Sequence, residues 1–441
     1  MNNTNTTAVT LERILDRNNI YAACKQVKAN KGAPGIDGMT VDELQPYING
    51  SDYPQQLTQA VLNGTYKPKP IKRVYIPKDN GEQRPLGIPT VLDRVIQQAT
   101  AQILSELYEP IFSENSFGFR PGRGTKDAIA RATEYVNSGL NWVIDLDLAK
   151  FFDTVNHSKL LQILSDRIKD GRVISLIHKF LRAPVSENGH IGKATALGTP
   201  QGGCISPILA NILLNELDHN LEKNNIKFVR YADDMVVFCG SCRAAERILS
   251  NMKNFIENKL FLKINETKTK IIKVSNKVQF LGFSFTYKVK AKRKILNHLQ
   301  KWFPTVHLKK LTKVKNAIKE ILDRRAPGGL QTIKDKLAGK IRGWCNYYKK
   351  CIPVKWMKQI DGWIRRMIRQ IYWKQWKTSE SREVNFKLLC VGAPTKENYA
   401  YSSNSYWKMA RTLQINKALS NETLADVGWV WIQMFEEPDR V

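Results

Sequence analysis

Acidic residues are scarce in this chain relative to basic ones: 40 Asp and Glu stand against 69 Lys and Arg over 441 residues, a net charge of +29. An excess of that size points to a polyanion as the partner, bound with release of its counterions. Long apolar runs are also missing. No stretch approaches the ~18 apolar residues of a spanning helix, and Met1 to Thr10 is polar and uncharged rather than signal-like. A membrane is therefore not an expected partner, and the bacterial cytosol or nucleoid is the expected location. Cysteine is sparse, with seven residues at 24, 204, 239, 242, 345, 351 and 390. Cys239 and Cys242 make a single Cys-x-x-Cys without a second pair or neighbouring histidines, so it is read as incidental rather than as a zinc site. Internal repeats and low-complexity tracts are absent.

What is present is an ordinary globular composition, 42% hydrophobic and 25% charged, in a chain too long for one core. Leu11, Ile14, Leu15 and Ile20 keep one helical face apolar within residues 11–65, until the loop Gly32-Ala-Pro-Gly-Ile-Asp-Gly38 breaks the pattern. From about Tyr66 to Phe285 short apolar strands alternate with amphipathic helices. Past Lys288 the composition changes. Lys288 to Lys377 holds 26 Lys and Arg against four acids, an excess of 22 out of the total 29. Leu330, Ile333, Leu337, Ile341, Trp344 and Tyr348 recur there at helical spacing, as do Met357, Ile360, Ile364, Met367 and Ile371, which predicts helices with apolar seams and basic backs. The polar stretch Thr378-Ser-Glu-Ser-Arg382 suggests a boundary before a last small region.

Two acid-bearing segments carry chemistry. Trp142-Val-Ile-Asp-Leu-Asp-Leu148 alternates strictly, so a strand sends Val143, Asp145 and Asp147 to one face. Phe228 to Phe238 is two apolar runs flanking Ala232-Asp-Asp234, the pattern of a tight hairpin with acids at its tip. Alone, each segment reads as a solvated turn or a strand-end charge. Together, in a chain whose charge calls for nucleic acid, they suggest carboxylates that bind magnesium, which takes one or two protein carboxylates and completes its shell with water and phosphate oxygens.

Tyr231-Ala-Asp-Asp234 matches the Tyr-x-Asp-Asp signature of reverse transcriptases. Around it, in the order of that family's blocks, stand Arg84-Pro-Leu-Gly-Ile-Pro89, Phe117-Gly-Phe-Arg-Pro-Gly-Arg123, Asp147-Leu-Ala-Lys-Phe-Phe-Asp153, Gly198-Thr-Pro-Gln-Gly-Gly203, Asn265-Glu-Thr-Lys268 and Phe280-Leu-Gly-Phe283. Leu337-Ala-Gly-Lys-Ile-Arg-Gly-Trp-Cys-Asn-Tyr-Tyr348 resembles the maturase signature. The whole resembles the reverse transcriptase and maturase of bacterial group II introns, in its compact, endonuclease-lacking class. The resemblance implies an α+β right-hand polymerase fold of fingers and palm, then an all-α thumb or maturase domain and a small C-terminal helical region. The corresponding bounds are an N-terminal extension at 1–65, fingers and palm at 66–287, thumb at 288–377 and a DNA-binding region at 378–441.

The same resemblance implies an RNA-directed DNA polymerase that also helps its intron RNA splice and retrohome. Its cofactor is two Mg²⁺ ions, with Mn²⁺ as a substitute, on Asp147, Asp233 and Asp234. Lys72, Lys78 and Arg84 are expected on the dNTP triphosphate, Phe152 as the gate against a 2′-hydroxyl, Gln201 beside the nucleotide and Lys268 as general acid to pyrophosphate. One of Phe151 and Phe152 is expected in the core. Arg120, Arg123, Lys340, Arg342, Arg365 and Arg366 are candidate nucleic-acid contacts, and about half of the thumb aromatics are expected to pack helices together. The implied partners are intron RNA, an RNA template with DNA primer, dNTPs and target DNA. The alternatives are a polymerase-inactive splicing cofactor and a domesticated enzyme of antiviral defence.

Overall fold

The structure, a computed structural model, describes residues 8–50, 53–77, 81–193, 196–288, 301–323, 325, 329–389 and 405–436. The chain forms two compact units, Met1–Val274 and Ser275–Val441.

In the first unit the apolar periodicity near the N-terminus is realised as helices Leu11–Ile14 and Arg17–Ala29, followed by Leu44–Asn49 and Tyr53–Leu62. The Thr10 hydroxyl accepts the Arg13 N–H and caps the first helix. Leu11, Ile14, Ala23 and Val27 are buried, packed toward the long helix Val91–Tyr108. The glycine-bearing loop after residue 30 lies on the start of that long helix. A side chain at Gly35 would put its Cβ 2.7 Å from Thr90 Cα, and Arg94 donates to the Ala33 carbonyl at 2.9 Å.

Strands β1 (Ile71–Pro77) and β2 (Gln83–Ile88) form an antiparallel hairpin, and β4 (Val185–Glu187) joins β1 in parallel with β5 (His190–Ile191) beyond it, giving the order β2-β1-β4-β5. The second sheet is antiparallel in the order β6-β7-β3-β8, from β3 (Trp142–Leu146), β6 (Lys227–Tyr231), β7 (Asp234–Cys239) and β8 (Lys270–Lys273). Met235 to Cys239 are all buried, so β7 is covered on both faces and its apolar run is continuous rather than alternating. Helix Ser206–Lys223 buries Leu209, Ile212, Leu213 and Leu217 and packs against β6 and the helices Val91–Tyr108 and His157–Arg167.

The second unit opens with the antiparallel hairpin of β9 (Phe283–Lys288) and β10 (Lys301–Val306). Helices Leu308–Ile321, Leu330–Tyr348, Val354–Gln375 and Ser379–Leu389 follow. The expected seams are buried at Ile333, Leu337, Ile341 and Tyr348, and at Met357, Ile360, Ile364 and Ile371. The polar stretch from Thr378 starts a helix, with the Thr378 hydroxyl accepting the Ser381 N–H at 3.1 Å. Short helices Tyr406–Met409, Leu413–Ala418 and Asn421–Asp426 and a 3₁₀ turn, Ile432–Phe435, complete the unit.

Candidate active site

The β6–β7 hairpin turns through Ala232 and Asp233 alone. Ala232 takes φ = 58°, a left-handed value that the first residue of a tight hairpin turn adopts and that glycine usually supplies. The turn therefore presents Asp233 and Asp234 at the sheet edge. On the adjacent strand, Leu146 pairs with Met235 and Asp145 with Val236, so Asp147, one residue past the end of β3, emerges beside the tip. Its backbone is held from a distance in sequence. The Asp147 N–H donates to the Thr269 hydroxyl at 3.2 Å, and its carbonyl accepts the Asn265 N–H at 2.8 Å. The Asn265-Glu-Thr-Lys268 block thus orients Asp147, and Lys268 adds a cation 3.7 Å from the carboxylate.

The two acid segments converge electrostatically as well. Exclusion of water by the surrounding protein pushes the Asp234 carboxyl up to about 6, and the Asp233 and Asp147 carboxylates push the same way, although the edge of Asp234 reaches solvent. Asp233 is raised by desolvation and by Asp147, against a pull from Arg84 and Arg230. Asp145, outside the expected ligand set, is raised to about 6 by desolvation and then by Asp234 and Asp147. Like charges held together raise one another's affinity for a proton, and a divalent cation relieves that repulsion by taking its place. Among the described residues no three His, Cys, Asp or Glu side chains lie so that they could hold a metal ion as they stand. An all-oxygen carboxylate edge of this kind suits a hard cation that keeps waters or phosphate oxygens in its shell.

A cavity of about 210 Å³ is lined by Arg73, Phe152, Gln201 and the neighbouring Gly198–Pro200 segment. Phe151 is 2% exposed and belongs to the core, so Phe152, whose ring meets that of Phe151 edge-on, is the aromatic that reaches the cavity. The Phe152 carbonyl accepts the Thr199 N–H at 2.6 Å, and the Gln201 carbonyl accepts the Gly87 N–H at 2.6 Å. These two bonds tie the glutamine loop to both walls. Arg84 reaches the acids through space. Lys72 pairs with Ile88 and Ile76 with Arg84 across the hairpin, so strand alternation places Lys72 and Arg84 on one face and Arg73 on the other. Arg73 was not among the expected residues. The period-two count from Lys72 was the signal for it, but nothing in the sequence says which face meets the cavity. Lys78 lies outside the described residues.

The candidate nucleic-acid cations divide into two groups. Lys340, Arg342 and Arg366 are exposed. Arg342 lies 6.0 Å from the Phe435 ring, and half-buried Arg365 lies 5.1 Å from the Trp431 ring, so the C-terminal segment already covers part of the basic back. Arg123 is engaged with Glu114 at 2.8 Å. Arg120 corrects the expectation. Its side chain is 1% exposed, and it donates to the Glu109 carboxylate and carbonyl and to the Ser113 and Ser116 carbonyls. With every N–H committed, it organises the chain and is not available to phosphate. The aromatics divide too: Tyr348, Trp373 and Trp376 are buried, whereas Tyr347 is 37% exposed. No described helix is long and apolar enough to cross a membrane.

Residues 76–285 match the family described as reverse transcriptase (RNA-dependent DNA polymerase), and residues 311–388 match the group II intron, maturase-specific domain. Protein YkfC of Escherichia coli K12 is 35% identical over 304 residues, 59% of this chain and 78% of that one. The group II intron-encoded protein LtrA of Lactococcus lactis subsp. cremoris is 33% identical over 341 residues, 62% of this chain and 56% of the relative. The matched region thus spans little more than half the length of LtrA.

Proposed function

The chain belongs to the group II intron reverse transcriptase and maturase family, and from that premise we propose that it extends a DNA primer along an RNA template and binds intron RNA to assist splicing and retrohoming. The observation that carries the reading is that Asp147, just past the end of β3, and Asp233 and Asp234, at the tip of the hairpin whose strand β7 pairs with β3, raise one another's affinity for a proton, while Phe152 and Gln201 line one cavity. Binding of RNA alone requires no such cluster of mutually repelling acids.

Members of the reverse transcriptase family generally use divalent metal ions. We assign Mg²⁺ to Asp147, Asp233 and Asp234, with two ions in the working enzyme and Mn²⁺ as a substitute. When bound, such ions make the primer 3′-hydroxyl a better nucleophile and neutralise charge on the leaving group. The chain's own residues do the remainder. Lys72, Lys78 and Arg84 are assigned to the triphosphate, and Arg73 lines the cavity. Phe152 crowds a 2′-hydroxyl, Gln201 packs on the incoming nucleotide, and Lys268 hands a proton toward pyrophosphate.

Lys340, Arg342, Arg365 and Arg366 face template-primer and intron RNA, with Arg123 nearer the palm. In domain terms, 1–65 is the N-terminal extension, 66–287 fingers and palm, 288–377 thumb and 378–441 a DNA-contacting region. The partners are intron RNA, template-primer, dNTPs and target DNA, in the bacterial cytosol or nucleoid. The test is incorporation of labelled dNTPs on an RNA template with a DNA primer and Mg²⁺, for the wild type and Asp233→Ala. Synthesis by the wild type, abolished in a variant that retains RNA affinity, is expected. A folded wild type that binds RNA without synthesis leaves the splicing-cofactor role alone.

A further inference from the structure

Tyr231, at the end of β6, is preceded by an arginine that touches no solvent. Arg230 and Asp218 are 0% exposed, as is Asn211. Nε of Arg230 donates to the Asp218 carboxylate at 2.8 and 3.0 Å, and Nη2 donates to the same carboxylate. Nη1 donates to the Asn211 side-chain oxygen at 2.8 Å and to the Ala232 carbonyl at 3.0 Å. The last bond matters most, because Ala232 is the left-handed residue of the acid-bearing turn. Asn211 in turn donates to the Gly118 carbonyl at 2.8 Å, and Gly118 lies so close to the turn that a Cβ there would be 2.4 Å from the Ala232 nitrogen. The main chain of Arg230 is fixed too, its N–H on the Asn115 carbonyl and its carbonyl on the Phe117 N–H, each at 2.9 Å.

A fully buried ion pair of this kind is often replaceable by apolar residues without loss of stability, so stability alone does not account for it. A left-handed alanine, by contrast, persists only where its surroundings over-determine it. We infer that Arg230, held by Asp218 and Asn211, is a positioning residue that locks the Ala232–Asp233 turn so that Asp233 and Asp234 project toward Asp147. The guanidinium suits the task because its planar fork reaches the carboxylate, the amide and the turn carbonyl together, whereas an ammonium is a point charge. The inference rests on the polymerase reading and adds to it a part of the machinery that does not touch substrate.

The test compares wild type with the double variant Arg230→Met, Asp218→Leu, which removes both charges together, and with Arg230→Lys. Four quantities are read: thermal melting, kcat against the dNTP KM on an RNA template, Mn²⁺ binding by the nucleic-acid-free protein, and hydrogen exchange at the backbone amides of residues 232–234. The double variant is expected to fold, with kcat lower by roughly 10- to 100-fold and KM within about 3-fold. Weaker Mn²⁺ binding and faster exchange at the turn are expected alongside. Arg230→Lys keeps the charge and is expected to lose turnover all the same. A folded variant of either kind with wild-type kcat, Mn²⁺ affinity and exchange overturns the inference. Failure of both variants to fold makes the network a determinant of the fold and overturns its positioning role. If the wild type itself makes no DNA, the polymerase reading fails, while Mn²⁺ binding and exchange still decide whether Arg230 holds the turn.

Discussion

Replacing Gly118 with alanine tests how tightly the acid-bearing tip is fixed, because the perturbation is one methyl group aimed at backbone. The added Cβ would sit 2.4 Å from the Ala232 nitrogen, 2.9 Å from the Tyr231 carbonyl carbon and 3.2 Å from the Ala232 Cα. Ordinary contact begins near 3.4 Å, so something has to move by about 1 Å, a displacement that near-attack geometry converts into roughly a 10²-fold loss of rate. The segment carrying Gly118 cannot simply retreat, since Asn211 holds its carbonyl and Phe117 is bonded to Arg230. Arg230 holds the Ala232 carbonyl as well, so the displacement is shared between the segment and the tip. A 10²-fold loss corresponds to about 2.7 kcal/mol of activation free energy, and the overpacking itself costs about 1–3 kcal/mol of folding stability.

The assay is steady-state dNTP incorporation on an RNA template, read as kcat and KM, alongside a thermal melt. Gly118→Ala is expected to lose kcat by roughly 10²-fold with KM changed by less than about 3-fold, because Phe152 and Gln201 stand on other elements. Gly171→Ala, where a Cβ meets nothing within 4 Å, serves as the control and is expected to behave as wild type. A folded Gly118→Ala enzyme with turnover within about twofold of wild type would refute the claim that this contact fixes the acids.

Phe152→Ala is expected to admit ribonucleotides, lowering the preference for dNTPs about 10-fold or more in competition assays; unchanged sugar selection puts the gate elsewhere. Arg120→Ala leaves the Glu109 carboxylate and three carbonyls without their donor and is expected to cost roughly 2–4 kcal/mol in denaturant unfolding, below the ~3–5 kcal/mol of a fully buried pair because Glu109 keeps some solvent. The salt dependence of its RNA affinity is expected to match wild type, and a shallower slope would return Arg120 to the phosphate contacts. Asp361 is buried, accepts the Ile432 and Gln433 N–H groups at 2.9 Å each, and is pushed up to about 6 by burial against those bonds. Because the folded value exceeds the unfolded one, its contribution to stability is complete below about pH 4 and is lost as pH rises through about 6. Melting of the wild type is expected to fall over that window, and Asp361→Asn to flatten the fall. An unchanged slope assigns the titration to another group.

Much of the site was legible because its signals are local. The β6–β7 hairpin, its acid tip and the strand before Asp147 follow from short-range alternation, and the basic helices follow from their seams and charge count. What was misread depends on partners that periodicity does not register. Arg120 looked like a phosphate ligand in a basic motif, yet its acceptor Glu109 lies 11 residues earlier. Lys72 was legible as a cation in a strand, but only the docking of the glutamine loop on Gly87 shows that Arg73 faces the cavity. About half of the aromatics of the last helices are expected to pack the helices together, and Tyr348, Trp373 and Trp376 do so, but spacing alone does not say which rings those are.

By itself the sequence determined the polyanion partner, the alternation of strands and helices, the identity of the acids and the family blocks in order, because charge and periodicity belong to neighbouring residues. The tertiary structure alone decided that Thr269, 122 residues away, anchors Asp147, that Phe151 is buried while Phe152 lines the cavity, and that Arg230 grips the turn. Each of those outcomes depends on which buried donor meets which acceptor once the chain has collapsed, and such pairing is set by packing across elements that no local pattern encodes.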